Sequence, residues 1–243
     1  MNEPLLKNAP IREAIIEFQT LQTNSDIDAL KGFIKKNETE YPNIKEKIGF
    51  QLSARFGVEA SDVKSSKNIE GYILSDESKK KVIQISVNKL SIHIIKPYDC
   101  WNNFMNIVYN VWEKYISSVE LNCVKKISIR YINEIEIDLT EIEILEKHLK
   151  MLPKIPKSIN SNVNHFFMQL GLNNKEKDIY SIINQSFNPP NNNILPYIFD
   201  IEVYIEKDYF NWDKLWEDIE IIRDFKNNIF FNGLSKHIIK KYK

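Results

Sequence analysis

Hydrophobic and polar residues alternate along much of this chain, which predicts a protein rich in β-strands. The longest alternating stretch is residues 123–138, in which isoleucine and tyrosine side chains share one face while Ser128 and Arg130 share the other. Shorter alternating or apolar stretches predict further strands. They cover residues 11–21, 50–58, 71–74, 81–87, 90–94, 163–172, 179–187 and 195–206.

The alternation changes phase between residues 81 and 94. Ile83 and Ile85 lie at odd positions, whereas Leu90 and Ile92 lie at even positions. A change of phase across the polar pair Asn88-Lys89 is what a tight hairpin produces. Together with the short strand 71–74, this pattern predicts a three-stranded meander over residues 71–96.

Apolar residues spaced three and four apart predict helices between the strands. The candidate start signals are Ser25-Asp26, Asp99, the capping box of Thr140 with Glu143, and either Asn211 or Asp208. The second and the last predicted helices each carry two tryptophans, and Gly233 is expected to break the last one.

The predicted order of elements is β-α-β-β-β-β-α followed by β-α-β-β-β-α, which indicates one module used twice. We therefore expect an α+β protein with two halves, residues 1–121 and 122–243, packed as one compact unit. In each half an antiparallel sheet would curve around its long helix, although the halves could instead share one continuous sheet. The order is that of the helix-grip and TATA-binding-protein-like folds, an analogy that carries no function.

Composition and charge indicate a globular protein and argue against some classes of binding partner. The 243 residues include 43% hydrophobic and 12% aromatic residues, enough for a sizeable core. The 33 basic and 33 acidic residues give a net charge of +0, which argues against indiscriminate binding to nucleic acid or anionic membrane. The chain shows neither a signal peptide nor an apolar run long enough to cross a membrane, so we expect a cytoplasmic protein.

Sequence motifs of catalysis and metal binding are missing. The histidines are His93, His148, His165 and His237, and no two have a metal-ligand spacing. The cysteines, Cys100 and Cys123, form no CxxC pair and are expected to be small buried thiols. Neither a P-loop nor a nucleophile elbow occurs. We therefore predict a protein that is not an enzyme and uses no metal or cofactor.

Two rows of carboxylates alternate along predicted strands. They are Glu134, Glu136 and Asp138 in one strand and Asp200, Glu202 and Glu206 in another. Such rows could hold Mg²⁺ for nuclease chemistry, but no PD-(D/E)xK spacing accompanies them. We favour the alternative that they form the solvent-facing side of amphipathic strands.

Arg130 is the most informative single residue, because an arginine in the middle of a strand is costly unless a partner satisfies it. It could bind a carboxylate or phosphate ligand through two parallel hydrogen bonds. It could equally pair with Glu13 or Glu17 of the opening strand, which is the reading we favour.

Several lysines are candidates for phosphate contacts. They are Lys79, Lys80 and Lys81 in a predicted turn and Lys125 and Lys126 at the start of a strand. The alternative, which we favour, is that they are solvated turn and strand-end residues.

Three spaced motifs lie along the chain: "PI-x-EA" at residues 10–14, "PY-x-x-W" at residues 97–101 and "RYIN" at residues 130–133. With them, nearly the whole chain resembles a sporadically distributed family of uncharacterised prokaryotic proteins. The family's patchy distribution is similar to that of genes in mobile or defence-related loci. The resemblance therefore implies a partner role in antiviral defence or in a toxin–antitoxin pair.

Three functions follow as hypotheses. The favoured one is a non-catalytic protein that acts through a protein partner, as an accessory or antitoxin-like component. The alternatives are a nucleic-acid-binding module that uses a curved sheet face and a helix-grip protein with a small-ligand pocket. The apolar helices could also serve a homodimer. The candidate binding residues are Glu13, Glu17, Tyr98, Trp101, Arg130, Tyr131 and Asn133.

Overall fold

The structure is a computed structural model. It describes residues 6–23, 27–56, 61–138, 140, 145–153, 156, 158–159, 165–187, 190 and 192–243, and of residues 50–56, 61–67 and 146 the backbone alone. The strands are β1 (Ile11–Gln22), β2 (Asn43–Phe56), β3 (Ser61–Ser75), β4 (Lys81–Ser86), β5 (Lys89–Ile95), β6 (Leu121–Asp138), β7 (Phe167–Asn174), β8 (Ile179–Phe187) and β9 (Ile194–Tyr209).

The helices lie at the predicted positions except the last one, which was not predicted, and the predicted start signal Ser25-Asp26 lies outside the described residues. They are a short 3-10 helix (Ile27–Leu30) continued by α1 (Lys31–Asn37), then α2 (Trp101–Ile116), α3 (Leu145–His148), α4 (Trp212–Gly233) and α5 (Lys236–Lys240). The fold is therefore α+β, as predicted.

The described strands form one antiparallel sheet. Their order is β2-β3-β4-β5-β1-β6-β9-β8-β7. The sequence left open whether each half forms its own sheet or both share one, and the described strands form a single continuous sheet. The predicted meander is present, since β3 pairs with β4 and β4 with β5. Its second turn lies at Val87-Asn88, one residue before the predicted pair, because Lys89 already pairs with Ser86.

Compact packing divides the chain into two units whose limits differ from the expected boundary at residue 121. Unit 1 contains Met1–Ile16, Ile95–Tyr98 and Lys126–Lys243, and unit 2 contains Glu17–Ile94 and Asp99–Lys125. Each unit draws on separate stretches of sequence because β1 and β6 are each divided between the two.

The core of unit 2 lies between the strands and α2. Phe18 of β1 packs against Trp112, with ring centroids 4.8 Å apart. The hydroxyl of the buried Tyr115 lies 2.9 Å from Thr20 Oγ1, and it accepts a hydrogen bond of 2.9 Å from Gln22 Nε2. The apolar stripe of α2 is thus buried, as the sequence predicts, and its one deep hydroxyl is satisfied.

The core of unit 1 lies between the odd-numbered residues of β6, β8 and β9 and the helix α4. Ile129, Ile135 and Ile201 are fully buried there. The stacked rings of Phe199 and Phe230, 6.2 Å apart, join β9 to α4. Asn211 caps α4, since its side chain accepts a 2.8 Å hydrogen bond from Asp213 N, and this confirms one of the two predicted starts.

Two local predictions need correction, and a third lies partly outside the described residues. The residue that caps α2 is Cys100, without a side-chain hydrogen bond, and not Asp99, which accepts a hydrogen bond from the Asn103 side chain. The predicted helix after residue 140 is described only over Leu145–His148, and its capping-box residue Glu143 lies outside the described residues. The strands β2 and β3 are longer than predicted.

The extra length of β2 and β3 is polar, which explains why alternation did not reveal it. Lys45, Glu46 and Lys47 lie in β2, the first strand of the sheet order. A strand at a sheet edge needs no continuous hydrophobic face, and charges on it prevent unwanted pairing. The pairing nevertheless runs from Asn43 opposite Ser75 to Phe56 opposite Ser61.

Candidate binding surface on the open sheet face

Alternation along β6, β8 and β9 gives unit 1 a second sheet face, opposite to the one that packs on α4. Its even-numbered side chains are mostly half-exposed, while the odd-numbered ones are largely buried. We call one part of this surface the open face. It consists of Lys126, Arg130, Ile132, Tyr180, Ile182, Asn184, Ile198, Asp200, Glu202, Tyr204 and Glu206.

Arg130 and Asp200 form the centre of the open face. Arg130 donates from Nε to Oδ1 at 2.8 Å and from Nη2 to Oδ2 at 2.7 Å, a geometry that uses both carboxylate oxygens. Asn184 donates to Asp200 Oδ2 at 3.0 Å and accepts a 2.7 Å bond from Gln169. A polar chain of four side chains therefore crosses β6, β9, β8 and β7.

The favoured partner of Arg130 was wrong, although the arginine is indeed paired. Glu17 accepts a hydrogen bond from Lys89 at 3.0 Å, and the charge of Glu13 contributes to the raised pKa of Arg130. The hydrogen bonds to Asp200, followed by the charges of Asp200, Glu202 and Glu13, raise the pKa of Arg130 against the opposing effect of burial. The guanidinium is thus committed to a carboxylate of its own chain.

Lys126 organises a second cluster on the open face. Its Nζ lies 3.7 Å from the centre of the Tyr204 ring, 3.6 Å from Glu202 Oε1 and 3.9 Å from Glu206 Oε1. Tyr204 stacks on Tyr180 with centroids 5.5 Å apart. Burial, and then the charges of Glu206 and Glu202, raise the pKa of Tyr204. The cluster therefore combines aromatic rings with a local excess of negative charge.

The open face is acidic overall. Its cations are Lys126 and Arg130, and its anions are Asp200, Glu202 and Glu206. Both cations are already engaged by these carboxylates. An anionic ligand such as phosphate would meet more negative than positive charge here, which disfavours its binding.

The two carboxylate rows predicted from sequence do not converge on a common point. Glu134 pairs with Arg12 at 3.3 Å, Asp138 accepts hydrogen bonds from Thr140, and Asp200 pairs with Arg130. Among the described residues, no group of three histidine, cysteine, aspartate or glutamate side chains is arranged to hold a metal ion. Four of the six carboxylates form ion pairs, with Arg12, Arg130 or Lys126.

The remaining candidate binding residues do not join Arg130. Tyr131 and Asn133 lie on the buried face of β6, where Asn133 Nδ2 donates to the Phe199 carbonyl at 2.9 Å. Tyr98 and Tyr131 have their hydroxyls 2.9 Å apart, and Lys226 Nζ lies 3.8 Å from the centre of the Tyr131 ring. These residues form a packed cluster against α4.

The other residues that the sequence suggested for binding are Trp101 and the lysines. Trp101 lies at the start of α2 in unit 2, where its ring meets Phe104 edge-on at 6.3 Å. Lys79, Lys80 and Lys81 lie at the β3–β4 turn, where Asp76 accepts hydrogen bonds from the backbone amides of Lys80 and Lys81 at 2.8 and 3.0 Å. Lys125 is exposed beside Lys126 in β6. Of the five predicted lysines, Lys126 is the one that lies on the open face with Arg130, whereas Lys79, Lys80 and Lys81 belong to unit 2.

One histidine pair was not predicted. The rings of His148 and His237 stack with centroids 5.0 Å apart, although the two residues are far apart in sequence. His148 Nδ1 also lies 3.3 Å from Ser235 Oγ, the residue that caps α5. No spacing rule could reveal this pair, because packing of α3 against the start of α5 creates it.

No protein-family model matches the chain, and none of the curated proteins matches it significantly. The resemblance of the sequence motifs to an uncharacterised family therefore stays a prediction. Of the helices within the described ranges, none combines the length and the apolar character needed to cross a bilayer.

Proposed function

We propose that this protein is a non-catalytic binding protein that acts through a protein partner, and that the partner docks on the open face of unit 1. The observation that carries the proposal is the make-up of that face. Half-exposed rings of Tyr180 and Tyr204 and the isoleucines Ile132, Ile182 and Ile198 lie among carboxylates. Aromatic anchors within a polar rim are typical of protein–protein interfaces.

The charge of the open face indicates the chemistry of the partner. Excess carboxylate attracts a protein surface rich in arginine and lysine and repels a phosphate backbone. Arg130, which would be needed to contact phosphate if this face bound nucleic acid, already donates two hydrogen bonds to Asp200. The protein-partner hypothesis is thus better supported than the nucleic-acid alternative.

A pull-down from the native host tests this proposal. The wild-type chain is compared with the double variant Glu202→Lys/Glu206→Lys and with Glu77→Lys, a charge reversal at an exposed turn in unit 2. Each lysate is run with and without nuclease and read by mass spectrometry, and circular dichroism checks that the variants fold.

We expect one stoichiometric protein that survives nuclease, binds wild type and Glu77→Lys, and is lost with the double variant. Its binding should weaken as salt is added, because the attraction is electrostatic. The proposal is wrong if nucleic acid co-purifies and nuclease removes the signal, if no stoichiometric protein is captured, or if the double variant retains the partner.

The narrower assignment, an accessory or antitoxin-like component of an antiviral defence or toxin–antitoxin locus, rests on the resemblance alone. It predicts that the captured partner slows growth when expressed without this protein and not when the two are expressed together. A partner that is harmless by itself would contradict the antitoxin form. A cytoplasmic location is part of the same proposal.

The finer fold assignment is also a proposal. The elements β1-α1-β2-β3-β4-β5-α2 and β6-α3-β7-β8-β9-α4 follow similar orders, and in each set the first strand neighbours the last. Both features support a module used twice in a helix-grip order. Superposing residues 11–116 on residues 121–233 of an experimental structure should overlay the equivalent strands and long helices if the proposal is right.

A further inference from the structure

The strand β7 (Phe167–Asn174) lies at one end of the sheet order. It pairs with β8 without interruption, from Phe167 opposite Ser186 to Asn174 opposite Ile179. Within the part of the chain that the structure describes, no strand pairs with its other side. β7 therefore presents a row of backbone donors and acceptors that can accept another strand.

The two end strands of the sheet differ in how they are protected. β2 carries Lys45, Glu46 and Lys47, and its register shifts between Lys47 and Ile48. β7 has the sequence FMQLGLNN, without a charge, a proline or a register shift. Charges, prolines and bulges are the usual means by which proteins prevent edge strands from pairing. Only β2 has such protection.

The hydrophobic row of the covered sheet face continues to this unprotected edge. Met168, Leu170 and Leu172 lie opposite Gln185, Ile183 and Ser181 of β8, all three of which are buried. Leu172 is nevertheless 42% exposed. The row of apolar side chains is thus exposed to solvent at β7, with no polar residue beyond it in the described part of the chain. One more strand paired with β7 could extend this row.

The side chains of β7 match a second copy of β7 in the antiparallel direction. A two-fold axis through Leu170 and perpendicular to the sheet places Leu170 opposite itself and Met168 opposite Leu172. On the other face it places Phe167 opposite Asn173 and Gln169 opposite Gly171. No like charges meet, and the apolar rows of the two copies join.

We propose that β7 is a self-association edge, at which two copies of this chain pair through antiparallel β7 strands around a two-fold axis at Leu170. The occupant is a second copy because the row is uncharged and complementary to itself about this axis. Symmetric pairing of one patch with itself is the commonest form of a closed dimer. The proposal is independent of the protein partner, whose test leaves β7 unchanged.

Disulfide cross-linking tests the pairing and its register directly. All variants carry Cys100→Ser, which leaves Cys123 as a buried background thiol. The register places the two copies of residue 170 about 5 Å apart at Cα, within disulfide range. Leu170→Cys should therefore give a covalent dimer under mild oxidation.

Neighbouring positions serve as register controls. Met168→Cys alone and Leu172→Cys alone should stay monomeric in denaturing gels, because the axis separates each position from its own copy by about 13 Å. A mixture of these two variants should cross-link. The register is wrong if Leu170→Cys gives no dimer or if all three variants cross-link equally.

Sedimentation equilibrium of the full chain tests self-association without cysteines. Leu172→Lys is compared with Ile44→Lys, since Leu172 and Ile44 are 42% and 40% exposed on the two end strands. Wild type and Ile44→Lys should dimerise with the same dissociation constant. Leu172→Lys should raise this constant at least about tenfold, because it puts a charge into the joined apolar row.

Three outcomes would overturn the proposal. They are a wild-type chain that is monomeric up to about 100 μM, a dimer that Leu172→Lys leaves intact, and a monomer whose β7 captures an extended peptide of another protein. Circular dichroism of each variant establishes that the sheet is folded before its association is measured.

Discussion

Asp200 is the acceptor around which the open face is organised. It is 5% exposed, yet it receives two hydrogen bonds from Arg130 and one from Asn184. A buried carboxylate needs such donors, because desolvation would otherwise make its charge very unfavourable. The charge of Arg130 in the middle of β6 is therefore balanced by Asp200 of β9, a residue far away in the sequence.

The substitution Asp200→Asn should lower the free energy of unfolding by about 2 kcal/mol, because it leaves Arg130 without a carboxylate. Glu134→Gln is the matched control, since Glu134 also pairs with an arginine but both side chains are well exposed, 61% for Arg12 and 39% for Glu134. The control should change stability by less than about 0.5 kcal/mol. Urea unfolding measures both, and equal losses would contradict the assigned role of Asp200.

Asp218 of α4 is a second buried carboxylate with several donors. Lys207 Nζ lies 2.5 Å from Oδ2, Tyr209 donates to Oδ2 at 2.9 Å, and Lys214 Nζ lies 3.3 Å from Oδ1. Burial by itself would raise the pKa of Asp218, but the hydrogen bonds from Lys207 and Tyr209 and the charge of Lys207 outweigh it and lower the pKa. The ionised form thus joins the start of α4 to β9.

The lowered pKa of Asp218 predicts how the free energy of unfolding depends on pH. The stabilisation from Asp218 is present above the ordinary aspartate pKa and is lost as pH falls through the lower value of the folded state. The unfolding free energy of the wild type should therefore fall between about pH 5 and pH 3. Asp218→Asn should start lower at pH 7 and fall less, whereas the exposed neighbour variant Glu217→Gln should follow the wild type. Urea unfolding at each pH measures this, and parallel curves for wild type and Asp218→Asn would contradict it.

At the scale of elements, the strands with one buried face were predictable and the polar ends of strands were not. The phase change before Leu90 located the β4–β5 hairpin because register there is set by a buried face. The first part of β2 carries Lys45 and Lys47 and has no such signal. Its pairing depends on β3, which the local sequence does not specify.

Substitution by alanine should destabilise the protein at one strand glycine, Gly71, and have little effect at another, Gly171. A Cβ on Gly71 would lie 2.2 Å from the Ile85 carbonyl oxygen of the paired strand β4, whereas a Cβ on Gly171 would have nothing within 4 Å. Gly71→Ala should cost about 2 kcal/mol or more, because β3 must move away from β4. Gly171→Ala should change stability by less than about 0.5 kcal/mol. Thermal unfolding compares them, and similar losses would show that close strand approach is not what Gly71 provides.

At the scale of the whole molecule, neither unit is a continuous piece of sequence. Unit 1 needs the beginning of β1 and the residues just before it, where Glu134 N donates to the Pro10 carbonyl at 2.8 Å and Asn8 N donates to the Tyr242 carbonyl at 3.2 Å. The boundary at residue 121 that the element order suggests would remove this strand from unit 1. Repetition of elements and compactness of packing therefore give different divisions of the chain.

Separate expression of residues 1–121 and 122–243 tests this division. The fragment 122–243 should show no cooperative thermal transition by circular dichroism, because it lacks the β1 residues that pair with β6. Co-expression of the two fragments should restore the transition. A cooperative transition in the isolated C-terminal fragment would mean that the sequence halves are true domains.

The amino-acid sequence by itself determined the elements whose residues alternate or repeat against a core. The α+β class, the meander, the faces of β6 and the cap of α4 all follow from period and local chemistry. Only the tertiary structure decided the partner of Arg130, the stacking of His148 on His237 and the division into units. These depend on contacts between residues far apart in sequence, which local pattern does not encode.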